Sequence, residues 1–361
     1  MNPRRIVISG GGTGGHLFPA LAVGRKLKEK DSAIRLTFIG SHRPIEKKLM
    51  EKHSAPFIPM KIEGIKGRGL RGLKTIVGLP WTLFRSALLL LRLKPGLVIG
   101  VGGYSSGPVV LAASWLGIPT IILEQNLVPG FTNRLLIRWV RKAVVAFENS
   151  LVHFKGKAVF LGNPVREEFH RIRPKQRSTT LTLLVFGGSQ GSRVLNETMV
   201  AALPFLAAEK GRLRIFHQTG EAGFQKVKEA YVQNGFPDAE IAPFFHDMAG
   251  CFEKSDLVIG RAGATTIAEL IVARKAAILV PFALASEDHQ VKNAGELARV
   301  GGAEVILEKD LSPARLADRI IHYLDHPERI TAMENNLTAL KTDDPAGRIA
   351  ELCFGLLEGK A

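Results

Sequence analysis

The sequence predicts an α/β protein of two doubly wound, Rossmann-like domains that face one another across a cleft. Short apolar strands alternate with helical patterns in both halves of the chain, the rhythm of parallel sheets covered on two faces. Glycine-rich turns close a strand and open a helix at 10–15, 102–107, 187–192 and 261–266, where open sheets of this class bind ligands. With 361 residues, 46% of them hydrophobic, the chain has material for two cores.

The first strand, Ile6-Val7-Ile8, runs into Gly10-Gly11-Gly12-Thr13-Gly14-Gly15-His16. A helical stretch over 17–30 follows, with Leu17, Ala20, Leu21, Val23 and Leu27 on one broad face. Such a turn aims bare backbone N–H groups and a positive helix end at whatever lies in front of it, which favours phosphate. Gly10, Gly12 and Gly15 also fit the dinucleotide pattern G-x-G-x-x-G. A nicotinamide enzyme needs an acid after its second strand for the ribose. Here Leu36-Thr37-Phe38-Ile39 ends in Gly40-Ser41, and the nearest acid, Asp31, precedes the strand. His16 sets an ionisable group beside the phosphate-sized hole, and reads either as a solvated loop histidine or as one that contacts substrate.

After the strand at 34–39, a helix near 45–52 and a strand at 57–61 continue the alternation. Residues 62–94 interrupt it. Gly64, Gly67, Gly69 and Gly72 alternate with Lys66, Arg68, Arg71 and Lys74, and then Ile76, Val77, Leu79, Trp81, Leu83 and Phe84 crowd together ahead of Arg85. This stretch reads either as a loop followed by a buried helix or as a peripheral membrane foot, with apolar side chains in the interface and a basic collar on anionic headgroups. A spanning helix is not expected, because the unbroken apolar run between Arg85 and Arg92 is far short of about 20 residues.

Residues 95–123 carry no charge, yet their glycines and prolines argue against a span. They read as a strand at 97–100, a second glycine turn at 102–107, a buried helix at 109–116 and a strand at 120–123. Glu124-Gln125-Asn126 then places three polar groups at a strand end, as ligand contacts or as loop caps and a salt bridge. A helix at 132–140 and a strand at 143–147 complete the first sheet. Gly162-Asn163-Pro164-Val165-Arg166 reads as a hinge, with Arg166 on its far side.

The second half repeats the plan: a strand at 181–186, the turn 187–192, a helix at 194–207, and strands at 213–217, 240–243 and 257–260. The turn Arg261-Ala262-Gly263-Ala264-Thr265-Thr266 opens a helix whose backbone donors suit a diphosphate, while Glu269, one turn inside, suits a ribose diol. Capping by Thr265 is the competing reading. A strand at 276–281 leads to Asp288-His289-Gln290, again ligand contacts or a helix cap. The last helix, 345–358, can cross back to the first domain.

Formal net charge is +16, and residues 1–165 hold 25 Lys and Arg against 7 Asp and Glu. With no nucleic-acid motif and 7% aromatic residues, nucleic acid is not the expected partner, which leaves solubility or an anionic membrane surface. Cys251 and Cys353 have no metal-ligand or disulfide spacing, in keeping with a reducing cytoplasm. The apolar run after Arg4 and Arg5 is broken by glycine at once, so no signal peptide is expected.

Seven motifs in order resemble the glycosyltransferases of B-type fold, and within them the bacterial transferases that make the second lipid-linked intermediate of peptidoglycan. These are GGTGGH at 11–16, GGYSSG at 102–107, EQN at 124–126, GNPVR at 162–166, GGSQG at 187–191, RAGATTIAE at 261–269 and HQVKNA at 289–294. The resemblance implies inverting transfer of N-acetylglucosamine from UDP-N-acetylglucosamine to the 4-hydroxyl of undecaprenyl-diphosphoryl-N-acetylmuramoyl-pentapeptide, with no metal and no cofactor. It implies an acceptor and membrane-associating domain over 1–164, joined by the helix at 345–361, and a donor domain over 165–344.

By the same resemblance His16 is the first choice for the base and Glu124 the second. Thr13, Gly14, Gly15, Asn126, Arg166, Ser189, Phe245, Ala264, Thr265, Thr266, Ile267, Ala268, Glu269 and Gln290 serve the donor, Phe245 by its backbone against the uracil. Gly11, Gly12, Gly103, Tyr104 and Ser105 serve the acceptor, and Lys74, Ile76, Leu79, Trp81, Leu83, Phe84 and Arg85 the membrane. The implied place is the cytoplasmic face of the inner membrane, with cell-wall synthesis and division proteins as further candidate partners. An epimerase of the same fold, a nicotinamide dehydrogenase and a non-enzymatic binding module are the alternatives.

Overall fold

The structure, a computed structural model, describes residues 4–12, 14–60, 70–173, 175, 177–283 and 288–359, with side chains except at 14, 45 and 70–77. Thr13 and the 61–69 part of the glycine and basic alternation therefore lie outside the described residues, as do the side chains of Lys74 and Ile76. Two compact units form, one of residues 1–166 with 342–361 and the other of residues 167–341.

The first unit runs β1 (Arg5–Ser9), α1 (Gly14–Lys30), β2 (Arg35–Gly40), α2 (Pro44–Lys52), β3 (Phe57–Pro59), α3 (Leu70–Leu93), β4 (Leu97–Gly100), α4 (Ser106–Trp115), β5 (Thr120–Glu124), α5 (Phe131–Leu136), β6 (Lys142–Val145) and β7 (Ala158–Phe160). Its seven strands are parallel, in the order β3-β2-β1-β4-β5-β6-β7. The central strands read as unbroken apolar runs because helices cover both faces. One face packs Ile6, Ile8, Leu97 and Ile99 against Leu17, Val23 and Leu27 of α1, and the other packs Val7, Val98 and Ile122 against Leu90, Val109 and Ala113.

The second unit runs α6 (Glu167–His170), β8 (Leu181–Phe186), α7 (Arg193–Ala202), β9 (Leu213–Gln218), α8 (Phe224–Gln233), β10 (Glu240–Ala242), α9 (Met248–Lys254), β11 (Leu257–Gly260), α10 (Ala264–Ala273), β12 (Ala276–Leu279), α11 (His289–Arg299), β13 (Ala303–Val305), α12 (Pro313–Asp325) and α13 (Pro327–Asn336). Its parallel sheet has the order β10-β9-β8-β11-β12-β13. The last helix, α14 (Pro345–Leu357), belongs to the first unit, where Ile349, Ala350, Cys353 and Leu356 join the core beside Ile6 and Ile8. It starts where Asp344 accepts the Gly347 N–H at 3.0 Å ahead of Pro345, an N-cap with proline at the first helical position.

In each sheet the strand order reverses beside the first strand of the unit, between β1 and β4 and between β8 and β11, and the crevice beyond those strand ends is where such sheets bind ligands. Several expected bounds change. The first sheet does not finish at 143–147 but gains the edge strand β7, and the second gains β13; three residues carry no periodic signal. The helix expected over 194–207 ends at Ala202, because Pro204 has no N–H, and a tight 3₁₀ stretch continues over Leu203–Arg212. The helix expected over 132–140 spans only Phe131–Leu136.

Candidate functional site

In the first unit the two glycine turns touch. The Gly11 N–H points to the Gly102 carbonyl at 3.4 Å, and Gly103, with φ of +77°, lies so close that a Cβ would run into the Gly11 carbonyl. Only glycine fits there, on both counts. Ser9 Oγ, at the end of β1, donates to the Ser105 carbonyl at 3.3 Å, which pins the second turn to the first strand. Gly11, Gly12, His16, Gly103, Ser105, Glu124 and Asn126 thus gather at the ends of β1, β4 and β5; Tyr104 beside them is exposed and Ser105 buried.

Glu46, which sequence reasoning missed, fills part of this turn. Its carboxylate reaches over from α2 and accepts the Gly12 N–H at 2.7 Å, the Ser41 N–H at 2.7 Å and the Ser41 hydroxyl. An internal anion therefore satisfies a donor that the sequence offered to phosphate. It sits near the second strand's end, where the acid of a nicotinamide site was sought, but arrives from the following helix.

His16 is half-buried, with Nδ1 3.2 Å from Gln125 Oε1. Burial holds the imidazole below its ordinary pKa of 6.5, against the opposing pull of Gln125, the Val101 carbonyl and the Glu46 charge. It is therefore neutral at pH 7 and carries a lone pair.

Glu124 is buried and surrounded by donors. Oε1 accepts the Asn126 N–H at 3.0 Å and its Nδ2 at 3.2 Å; Oε2 accepts the Gly130 N–H at 2.9 Å and Asn133 Nδ2 at 2.8 Å. Burial pushes its carboxyl up, opposed by those same bonds. A carboxylate has about four lone-pair sites, and here each faces a donor, so Glu124 holds the loop 124–133 in shape. Arg166 belongs to the first unit and lays its guanidinium 4.7 Å from the ring centre of Phe18 on α1.

The second unit builds its site by the same means. Gly188 and Gly191 have φ of +93° and +73°, and a Cβ on Gly191 would meet the Thr219 carbonyl. Ser189 is exposed at the tip of this turn. Gln218, also unread in the sequence, ties it to the β10 side: Nε2 donates to the Gly188 carbonyl at 2.9 Å and Oε1 accepts the Phe245 N–H at 2.8 Å. The Phe245 N–H is thereby engaged within the unit.

α10 opens on Gly263, which has no side chain to satisfy the first-turn N–H groups. Thr265 does not cap it; Thr265 Oγ1 is buried with no hydrogen-bond partner among the described residues. Ile267 and Ala268 are buried and the Ile267 N–H is taken by the Gly263 carbonyl, so they act through the helix backbone, and Glu269 is buried one turn in. Gln290 Oε1 accepts the N–H groups of Ala262 at 3.2 Å and Phe282 at 3.0 Å, which leaves its NH2 as donor. Arg261, which the sequence offers only as the first residue of the turn, anchors the crevice by contacts to Ser192 Oγ, the Val280 and Pro281 carbonyls and Glu308. Among the described residues no group of His, Cys, Asp and Glu is placed to hold a metal.

On α3 the buried side is Ser86 and Leu90, whereas Trp81 is 64% and Phe84 53% exposed, stacked at 5.7 Å, with Arg85 exposed beside them and Leu79 and Leu83 half-buried. The helix at 109–116 was expected to be buried, but Trp115 and Leu116 are exposed, and Trp115 meets exposed Trp139 edge to face at 6.1 Å. No helix among the described residues is long and apolar enough to cross a membrane.

Comparison with known proteins agrees with both halves. The glycosyltransferase family 28 N-terminal domain matches residues 6–145 and the family 28 C-terminal domain residues 182–348. The UDP-N-acetylglucosamine–N-acetylmuramyl-(pentapeptide) pyrophosphoryl-undecaprenol N-acetylglucosamine transferase of Syntrophus aciditrophicus is 43% identical over 98% of this chain and 99% of its own. The Myxococcus xanthus transferase of the same name is 41% identical over 98% of this chain and 93% of its own. The crystal structure of Acinetobacter baumannii MurG superposes with a TM-score of 0.77 at 30% identity, covering 97% of this chain and 99% of that one. Two parallel sheets with glycine turns at their switch points, matched along nearly the whole chain, place it: the chain belongs to glycosyltransferase family 28.

Proposed function

We infer that the chain is an inverting N-acetylglucosaminyltransferase that moves N-acetylglucosamine from UDP-N-acetylglucosamine to the 4-hydroxyl of lipid-linked N-acetylmuramoyl-pentapeptide, the lipid I to lipid II step of peptidoglycan synthesis. The shared activity of relatives at 41% and 43% identity over 98% of the chain supports it. The observation that carries the mechanism is the neutral His16 set where the two glycine turns of the first unit touch.

The first unit takes the acceptor and the second the donor. As the acceptor oxygen bonds to the anomeric carbon, its proton passes to His16, a transfer commonly worth roughly 10²–10⁴-fold. The bond from that carbon to the diphosphate oxygen breaks, and UDP leaves with the electron pair. The start of α10, worth about half a positive charge, supports the departing diphosphate together with the Ser189 hydroxyl and Arg166. Glu269 takes the ribose, the Phe245 carbonyl the uracil, and Asn126 and Gln290 the sugar or phosphates.

Attachment to the cytoplasmic face of the cell membrane is peripheral and runs through the exposed apolar face of α3, with Arg85 and the basic excess of residues 1–165 on anionic headgroups. Liposomes containing anionic lipid bind the protein and salt releases it; indifference to lipid charge removes the electrostatic part. The deciding experiment supplies labelled UDP-N-acetylglucosamine with and without lipid-linked muramyl-pentapeptide. Labelled disaccharide lipid that depends on the acceptor supports the assignment. Turnover of the nucleotide sugar without acceptor favours an epimerase or hydrolase, and binding without turnover a binding module.

A further inference from the structure

Gln125 is buried just past the end of β5, behind His16. The orientation of its amide follows from its partners. The Val101 carbonyl can only accept, so the amide atom 3.0 Å from it is Nε2, and Oε1 must then be the atom 3.2 Å from His16 Nδ1. An amide oxygen cannot donate. The proton of the neutral imidazole therefore sits on Nδ1 and the lone pair on Nε2.

We propose that Gln125 is a positioning residue of the transfer reaction: it holds His16 in the Nδ1–H tautomer, so that Nε2 is the atom that takes the proton of the acceptor hydroxyl. The proposal rests on the reading of His16 as the base. The identity of the residue suits the task. A carboxylate at this place would also fix the tautomer but would raise the proton affinity of the ring, whereas an amide fixes it without adding charge. The groups facing His16 from the ends of β4 and β5 are neutral, the Val101 carbonyl and Gln125, and among the described residues Glu46 from α2 supplies the charge that acts on it.

The test is ¹⁵N NMR of the full-length, histidine-labelled protein without ligands, at a pH where the ring is neutral, with the His16 signals assigned by their loss in His16→Gln. A protonated Nδ1 and an unprotonated Nε2 are expected. In Gln125→Met, which matches the length but offers Nδ1–H only a weakly accepting thioether, the tautomer ratio moves toward Nε2–H by up to roughly 3- to 10-fold, the worth of one hydrogen bond. kcat falls in proportion to the Nδ1–H fraction, by at most that factor, and KM for UDP-N-acetylglucosamine holds. Gln125→Glu keeps Nδ1–H and moves the acid limb of kcat to higher pH. An unprotonated Nδ1 in the unsubstituted protein overturns the proposal whether or not the variants fold, as does an unchanged tautomer in Gln125→Met or an unmoved acid limb in Gln125→Glu. An Nδ1–H fraction that falls while kcat holds overturns His16 as the base, and with it the part of Gln125 in the reaction, while the tautomer assignment stands.

Discussion

Glu124→Gln separates two tasks open to a buried carboxylate at a strand end, taking a proton from substrate and holding a loop. The four bonds to Asn126 N and Nδ2, Gly130 N and Asn133 Nδ2, between 2.8 and 3.2 Å, set the expected size of the effect. Exchanging one oxygen for NH2 turns two accepted bonds into donor facing donor. Each bond to a charged group is worth roughly 1.5–3 kcal/mol, so the exchange removes roughly 3–6 kcal/mol. The amide no longer buries a charge, which offsets part of this, and a net loss of about 2–4 kcal/mol is expected. Denaturant unfolding followed by circular dichroism, beside turnover at saturating substrates, reads both tasks. The loop-holding account expects a lower unfolding midpoint, with turnover of the folded fraction retained to within about 10-fold. An unchanged midpoint with turnover down by roughly 10² or more refutes it and makes Glu124 the base.

His16→Ala lowers kcat by roughly 10²–10⁴-fold while the affinity for UDP-N-acetylglucosamine holds, since only the proton acceptor is removed; equal loss of both marks a structural histidine. Because the His16 pKa lies below 6.5 and the neutral ring is the active form, activity is retained as pH falls through 6.5 and the acid limb of kcat/KM appears below it. Gly103→Ala meets both a left-handed backbone and the Gly11 carbonyl, and destabilises by roughly 2–5 kcal/mol, read as a drop in the unfolding midpoint. His217, bonded to Tyr231 and Asn196, is pushed down by burial to about 3. Between there and 6.5 the unfolded chain binds a proton that the native ring refuses, so stability rises with pH by up to about 1.4 kcal/mol per unit, and His217→Gln flattens that slope in pH-dependent unfolding.

The glycine turns were legible in the sequence because a strand, a run of glycines and a helix are local events, and the positive φ at Gly12 and Gly103 is a demand that only the residue itself can meet. Glu46 and Gln218 were not, nor was the partner of Gln125, which reads only as a polar group at a strand end. Gln125 acts on a residue 109 positions away, Glu46 on one 34 away and Gln218 on Phe245, 27 away, and no periodicity links such partners. Glu124 was legible as a polar group at a strand end, but the donors that fill it come from the turn at Gly130 and from Asn133 on α5. The exposure of Trp115 and Trp139 was hidden for a different reason: an apolar helix reads as buried until its neighbours show which side they cover.

Because α14 fills the core of the unit that begins at β1, the second unit is an insertion within the first. On the ribosome, residues 167–341 have all their own strands before the first unit has its last helix. Ile6 and Ile8 wait for Ile349, Ala350, Cys353 and Leu356, more than 300 residues of synthesis later. The unit that carries the exposed tryptophans therefore closes its core last, and a chain cut short of Pro345 leaves that core open on one side however well the second unit has folded.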